Sequence, residues 1–183
     1  MRGLVYCCLA PFLASSAVLV NRTIDDQELN ADTHLAPQYE PLGQWAQGSI
    51  CGGCAIKPAT RTHEPGGVDT SKVFDGTWHD STYHPGDSEH TITVWFQGQA
   101  VYVFNLIANG IRAGVTTFTN LSFTLDGAPA GSYTHLPDDQ AHTIMYDVLV
   151  FSNASMPAGW HKLNVVAGGP TPSLILFDYI IYT

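Results

Sequence analysis

The sequence predicts an all-β protein, a two-sheet antiparallel sandwich entered through an irregular N-terminal arm. Three observations predict it. After Ser71 the chain breaks into short runs rich in Val, Ile, Thr, Phe and Tyr, and Gly, Asn, Asp and Pro separate those runs. No long stretch carries a helical period.

In chain order, residues 1–17 read as a signal peptide: Arg2 is a single early cation, Leu4 to Leu19 carries no charge, and Ala14-Ser15-Ser16-Ala17 offers small residues for cleavage after Ala17. The alternative is an uncleaved anchor, because Val18-Leu19-Val20 prolongs the apolar character. No other stretch is a candidate span, so no transmembrane helix is expected after signal cleavage. Three sequons, at Asn21, Asn120 and Asn153, agree with a secreted, extracellular glycoprotein. They place Asn120 and Asn153 on the surface.

Residues 18–70 read as an arm packed on the domain, broken by Pro37 and Pro41 and anchored by Tyr39, Leu42 and Trp45. Of the four cysteines, Cys7 and Cys8 leave with the signal peptide. Cys51 and Cys54 remain, and in an oxidising compartment they are expected to pair across Gly52-Gly53. A redox pair would open a helix, which Ala55-Ile56-Lys57-Pro58 discourages, and two thiols fall short of a structural zinc site.

The sandwich is assigned to residues 71–183. His90 to Phe96 alternates Ile92, Val94 and Phe96 onto one face and, through Gln97-Gly98-Gln99, is expected to form a hairpin with Ala100 to Ile107. Thr116 to Leu125 follows, and Asp126-Gly127 signals a turn into Gly131 to His135. Thr143 to Phe151, Trp160 to Val166 and Leu174 to Tyr182 complete the set.

Without the leader, six Lys and Arg face sixteen Asp and Glu, scattered singly. Such a surface repels a phosphate backbone, which excludes nucleic acid as a partner and disfavours anionic membranes. No Gly-x-Ser-x-Gly elbow, phosphate loop or dinucleotide fingerprint occurs. Two facing carboxylates, as glycoside hydrolysis requires, would have to come from Asp75, Asp80, Asp126, Asp147 or Asp178. Of these, Asp126 reads as a turn residue and Asp178 as bonded to backbone or to a neighbouring Tyr or His.

The densest polar cluster runs from Thr77 to His84. Trp78, His79, Asp80 and Tyr83 are its candidate ligand residues: the aromatics would stack on a pyranose while Asp and His bond its hydroxyls. The structural alternative has Trp78 plugging one end of the sandwich and Asp80 capping a turn. His79, His84, Asp80 and His90 show no recognised metal spacing, so no metal and no cofactor is expected; calcium stays open, with no residue pattern behind it.

Several segments together resemble uncharacterised secreted or membrane-anchored proteins of mushroom-forming fungi. The matching pieces are Ile24-Asp25-Asp26-Gln27, Trp45 with Cys51 and Cys54, Phe74-Asp75-Gly76-Thr77-Trp78-His79-Asp80, Ala100-Val101-Tyr102-Val103-Phe104-Asn105, Phe123-Thr124-Leu125-Asp126-Gly127, Gly159-Trp160-His161 and Leu176-Phe177-Asp178-Tyr179. The resemblance implies a galactose-binding-like jelly roll. One departure is Glu28-Leu29-Asn30-Ala31, where a Gly-Asp pair is expected. The Gly-x-His strand and the closing Asp-Tyr are also similar to the last strands of many carbohydrate-binding modules.

The function expected is an extracellular, non-catalytic binding module for cell-wall or plant glycans. The alternative is a structural or protein-interaction sandwich at the cell surface, and a secreted hydrolase is a third reading. Exposure of Trp78, Tyr83 or Trp160 separates the first two.

Overall fold

Strict alternation of burial is what turns these runs into a sandwich. In the strand His90–Gly98, His90, Ile92, Val94 and Phe96 are buried while the residues between them are not, and Gly159–Ala167 repeats the pattern with His161, Leu163, Val165 and Ala167. A period of two gives a sheet one apolar face, and a second sheet must cover it.

The structure, a computed structural model, describes residues 19–61, 64, 66–111 and 113–183. The expected signal peptide lies outside the described residues. The described residues hold thirteen strands: β1 (Arg22–Asp25), β2 (Gln38–Glu40), β3 (Ala46–Gln47), β4 (Lys57–Pro58), β5 (Gly67–Val68), β6 (His79–Tyr83), β7 (His90–Gly98), β8 (Val101–Ala108), β9 (Thr119–Leu125), β10 (Ala128–His135), β11 (Ile144–Asn153), β12 (Gly159–Ala167) and β13 (Ser173–Tyr182). Two 3-10 turns, Thr70–Lys72 and Phe74–Gly76, precede β6.

Strands β6 to β13 form an antiparallel jelly roll. One sheet runs β11-β8-β13-β6-β3, and β1 pairs with β13 beside the end of β6. The other runs β10-β9-β12-β7-β2. The arm is therefore built into the sandwich: β1 and β3 extend the first sheet and β2 edges the second. Only β4 and β5, a short parallel pair, stand apart.

The expected hairpin between β7 and β8 does not form. The two strands belong to opposite sheets, and Gly98-Gln99-Ala100 carries the chain across the sandwich, where the Thr183 carbonyl accepts from the Gln99 N–H at 2.6 Å. Alternation identifies a strand but not its partner, and adjacent alternating runs serve equally as a hairpin or as a crossing. The hairpin signalled by Asp126-Gly127 does form. β9 and β10 pair from Leu125 and Ala128 onward, with Asp126 and Gly127 both at positive φ (53° and 82°), as a tight primed turn demands.

Between the sheets Ile92, Phe96, Val103, Phe123, Leu163, Ile175, Phe177 and Ile180 make one core, with the Phe123 and Phe151 rings stacked at 4.7 Å. Each fully buried aliphatic or aromatic side chain contributes roughly 1.5–3 kcal/mol. A register shift in β13 lets its two halves serve this core. Ile175 and Phe177 point inward, then Ile180 and Tyr182, so the odd step falls at Asp178.

A second, smaller core lies on the outer side of the first sheet. There Ile56 and Val68 of the arm, with Val73 and Trp78 of the segment that leads from it into β6, cover Leu106 and Ala108 of β8 and Leu174 and Leu176 of β13. Cys51 and Cys54 are joined, with their Cα atoms 5.4 Å apart. Tyr39 and Trp45 do anchor the arm, packing on the main core. Leu42 does not: it is exposed in the turn after Pro41, pointing away from both cores.

Candidate functional site

The residues from Thr77 to Tyr83 do not form a surface cluster, because β6 sends them to opposite sides of its sheet. Trp78 is 0% exposed and lies in the second core. Gly48 rests directly on its indole: a Cβ there would stand 2.0 Å from Nε1, and the Gly48 N–H donates to the Trp78 carbonyl at 2.7 Å.

His79 faces the other way, its Nδ1 2.6 Å from Asp26 Oδ2, while Thr77 Oγ1 donates to Asp26 Oδ1 at 2.5 Å. The Tyr39 ring stacks on His79 at 4.0 Å, and its hydroxyl donates to the Asp26 carbonyl. Asp80 caps no turn. It sits in β6 opposite Leu176, and burial pushes its carboxyl up to about 7. Tyr83 is buried and donates to the Gly169 carbonyl at 2.9 Å. Trp78 and Tyr83 thus offer no stacking face to a sugar, and the segment is a joint between arm and sandwich.

Among the described residues the most exposed tryptophan is Trp160, at 60%. It starts the outward row of β12, which continues through Lys162, Asn164 and Val166; the neighbouring row on β7 holds Gln97, Trp95, Thr93 and Thr91. Cross-strand partners share a face, so Trp160 lies beside Gln97, Lys162 beside Trp95, and Asn164 beside Thr93. On the far side of β12, Thr124 of β9 faces Asn164. None of these outward residues is buried.

Two features give this face order. The Lys162 ammonium lies 5.5 Å from the centre of the Trp95 ring, a cation–π contact that holds both side chains against the sheet. A row of hydrogen bonds crosses three strands: Thr93 Oγ1 donates to Asn164 Oδ1 at 2.9 Å, and Asn164 Nδ2 donates to Thr124 Oγ1 at 3.0 Å. The row leaves one amide hydrogen of Asn164 and the Thr124 hydroxyl proton unspent.

The end of β12 that bears Trp160 is pinned from beneath. His161 Nδ1 lies 2.7 Å from Asp126 Oδ2 and Nε2 lies 2.8 Å from the Pro157 carbonyl, so both ring nitrogens meet acceptors. Burial pulls the imidazole pKa down, but the Asp126 carboxylate and the Pro157 carbonyl lift it to a net value above the ordinary one. Bonds from Lys162 N–H and His161 hold the Asp126 carboxyl below its usual range.

The acids that approach one another do so in the interior. Asp25 on β1 and Asp178 in β13 are buried, and Asp25 Oδ1 and Asp178 Oδ2 find no partner among the described residues. Burial, with Asp26 adding, pushes the Asp25 carboxyl up to about 7. Burial, with Asp147, Asp26 and Asp25 adding, pushes Asp178 up to about 8. As its sequence context suggested, Asp178 bonds backbone: Oδ1 accepts from the Phe74 N–H at 3.1 Å. Among the described residues, no group of three or more His, Cys, Asp or Glu is arranged to hold a metal ion. No described helix is long and apolar enough to cross a membrane.

Trp95, Asn164 and Lys162 were not singled out from the sequence. Their signal was present in the outward positions of two alternating strands, but only the pairing of β7 with β12 puts them side by side.

No protein-family model and no curated protein matches the chain. Among solved structures, the chain is similar to a family 35 carbohydrate binding module from Clostridium thermocellum, with 8% identity, a TM-score of 0.49, and 88% of this chain and 98% of that one covered. It is also similar to exo-β-1,3-galactanase from Phanerochaete chrysosporium in its structure with β-1,3-galactotriose, at 13% identity and a TM-score of 0.48. That match covers 91% of this chain, which spans 30% of the galactanase. A third likeness, to a cycloisomaltooligosaccharide glucanotransferase from Paenibacillus sp., has 13% identity and a TM-score of 0.44, covering 75% of this chain and 16% of that one.

Proposed function

We propose that the protein is a non-catalytic glycan-binding module and that the uncovered face of its second sheet is the binding surface. The observation that carries the reading is the exposed Trp160 standing beside the Trp95–Lys162 pair and the Thr93–Asn164–Thr124 row on one solvent-facing surface. A pyranose presents an apolar face of C–H groups that stacks on an indole, and its hydroxyls need donors and acceptors at the rim. Here the indole is Trp160, and the rim is the amide of Asn164, the hydroxyls of Thr93 and Thr124, and the ammonium of Lys162. An open face of this kind suits a chain of sugars laid across the strands better than a single sugar in a pocket.

The setting belongs to the same proposal: a secreted glycoprotein related to the fungal group that its motifs resemble. All three sequons are at least partly exposed. Asn120 lies on the same open face as Trp160, but four residues beyond Thr124 along β9, about 13 Å at 3.3 Å per residue. A glycan there would leave the tryptophan end clear.

The test is binding of the purified chain to an array of fungal and plant polysaccharides, with Trp160→Ala as the paired control. Saturable binding that Trp160→Ala abolishes, with thermal unfolding unchanged, is expected. Absence of binding to every glycan, or binding that the substitution leaves intact, would overturn the assignment and turn the search towards a protein partner.

A further inference from the structure

Charge is spread unevenly over this protein, and the open face of the second sheet is nearly free of it. The sequence carries sixteen Asp and Glu against seven Lys and Arg, a formal charge of −9. Around the residues already placed on the face, β9 adds Ser122 and Asn120, β10 adds Ser132 and Thr134, and β2 adds Gln38 and Glu40, each the cross-strand partner of an outward neighbour. Among the described residues, the outward side chains of these five strands hold one cation, Lys162 on the middle strand, and one carboxylate, Glu40 on the edge strand. Lys162 is drawn over the Trp95 ring. A second carboxylate, Asp126, stands at the rim in the turn after β9, held by His161 and the Lys162 N–H.

The polar groups that remain on this face are of both kinds. One amide hydrogen of Asn164 and the Thr124 hydroxyl proton are left to donate, and the hydroxyls of Thr91 and Ser122 can donate or accept. A sugar hydroxyl meets such a set in both directions. A carboxylate only accepts and an ammonium only donates. A polyanion would approach a chain of net negative charge and find a single ammonium, and a polyamine would meet that ammonium in the middle of the face.

The contacts are also far apart. Trp160 and Asn164 are four residues apart on β12, about 13 Å at 3.3 Å per residue. One sugar ring cannot touch both the indole and the hydrogen-bonded row.

Resting on the reading of this face as the glycan-binding surface, we infer that its ligand is an uncharged polysaccharide, held over several consecutive sugars between the Trp160 indole and the Thr93–Asn164–Thr124 row. Acidic polysaccharides are excluded by the same surface.

Calorimetric titration of the purified chain with neutral polymers (β-glucan, xylan, mannan, galactan) and acidic ones (polygalacturonate, alginate, carboxymethylated β-glucan) tests it, with Trp160→Ala beside the wild type. Saturable binding to a neutral polymer is expected, at least about tenfold tighter than to any acidic one. Its affinity should change by less than about twofold when salt is raised tenfold, because no ion pair is there to be screened. Oligosaccharides of the bound polymer should gain at least about tenfold in affinity from the monosaccharide to the tetrasaccharide. Binding that depends on Trp160 but is as tight for an acidic polymer, or as tight for the monosaccharide, would overturn this inference and leave the face assignment standing. Absence of binding to every polymer, or binding that Trp160→Ala leaves intact, would overturn the face assignment and this inference with it.

Discussion

The two outer faces of the sandwich begin from the same strand chemistry and end differently. On the first sheet, the outward Leu106, Ala108, Leu174 and Leu176 are apolar, and the arm and the segment after it cover them with Ile56, Val68, Val73 and Trp78. On the second sheet, the outward residues are Thr, Asn, Gln and Lys with two tryptophans and Val166, and none of them is buried. A leucine outside a sheet calls for a lid. A tryptophan amid threonines does not, and its exposure needs another reason. Tryptophan thus has opposite meanings on the two faces, structural at Trp78 and available for contact at Trp160.

The largest expected effect breaks the pair apart directly. Trp78→Ala should cost about 3–5 kcal/mol, the range for emptying a large aromatic site, whereas Trp160→Ala should stay within about 0.5 kcal/mol, as for an exposed position. Urea unfolding of both variants measures it, and equal losses would erase the distinction between the faces.

The next effect belongs to the seam where β1 and the arm meet β13. Asp178 and Asp25 titrate near 8 and 7 in the folded chain, against 3.8 for an ordinary aspartate, so between about pH 4 and pH 8 the folded state holds protons that the unfolded state has released. Their contribution to stability is therefore full below about pH 4, declines as pH rises through the window, and levels off above it. Asp178→Asn should flatten that slope, raising the melting temperature at pH 8.5 while changing little at pH 4, whereas Trp160→Ala should keep the wild-type slope. A melting temperature that climbs from pH 4 to 8 in the wild type would reverse the argument.

Removing the disulfide with C51S/C54S should cost about 1–2 kcal/mol, because the loop it closes is short. It should loosen the cover without touching glycan binding on the open face, a separation that melting curves and array binding on the same sample reveal. The smallest effect is expected from Asn164→Ala. It removes both bonds of the Thr93–Asn164–Thr124 row and should weaken glycan binding by about 0.5–1.5 kcal/mol, with little change in stability, since both partners remain in contact with water.

Most of the strands were legible because alternation is local. β7, β8 and β11 to β13 begin and end within two residues of the runs read from sequence. β6 was not read as a strand, since its residues His79-Asp80-Ser81-Thr82-Tyr83 look polar. Their partners explain the difference: Asp26, the Gln44 carbonyl and the Gly169 carbonyl receive His79, Ser81 and Tyr83, and all three are distant in sequence. The same non-locality hid the site. Trp160 could be named as a candidate from sequence, but its neighbours depend on which strand lies next to β12, and the mistaken β7–β8 hairpin shows that pairing was the missing information. Asp126 was legible as a turn residue, while its second task, bonding His161, depended on β9 lying beside β12.

The place of β13 has a consequence for how the protein comes into being. It is the middle strand of its sheet, bonded to β8 on one side and to β6 and β1 on the other, yet it follows all of them in sequence. During synthesis the sheet cannot close until Ser173–Tyr182 has emerged, so β8 and β11 wait with apolar faces uncovered. Such non-local closure is slow and exposes strands that can pair wrongly. Chains cut short before β13 should therefore aggregate rather than form a smaller sandwich.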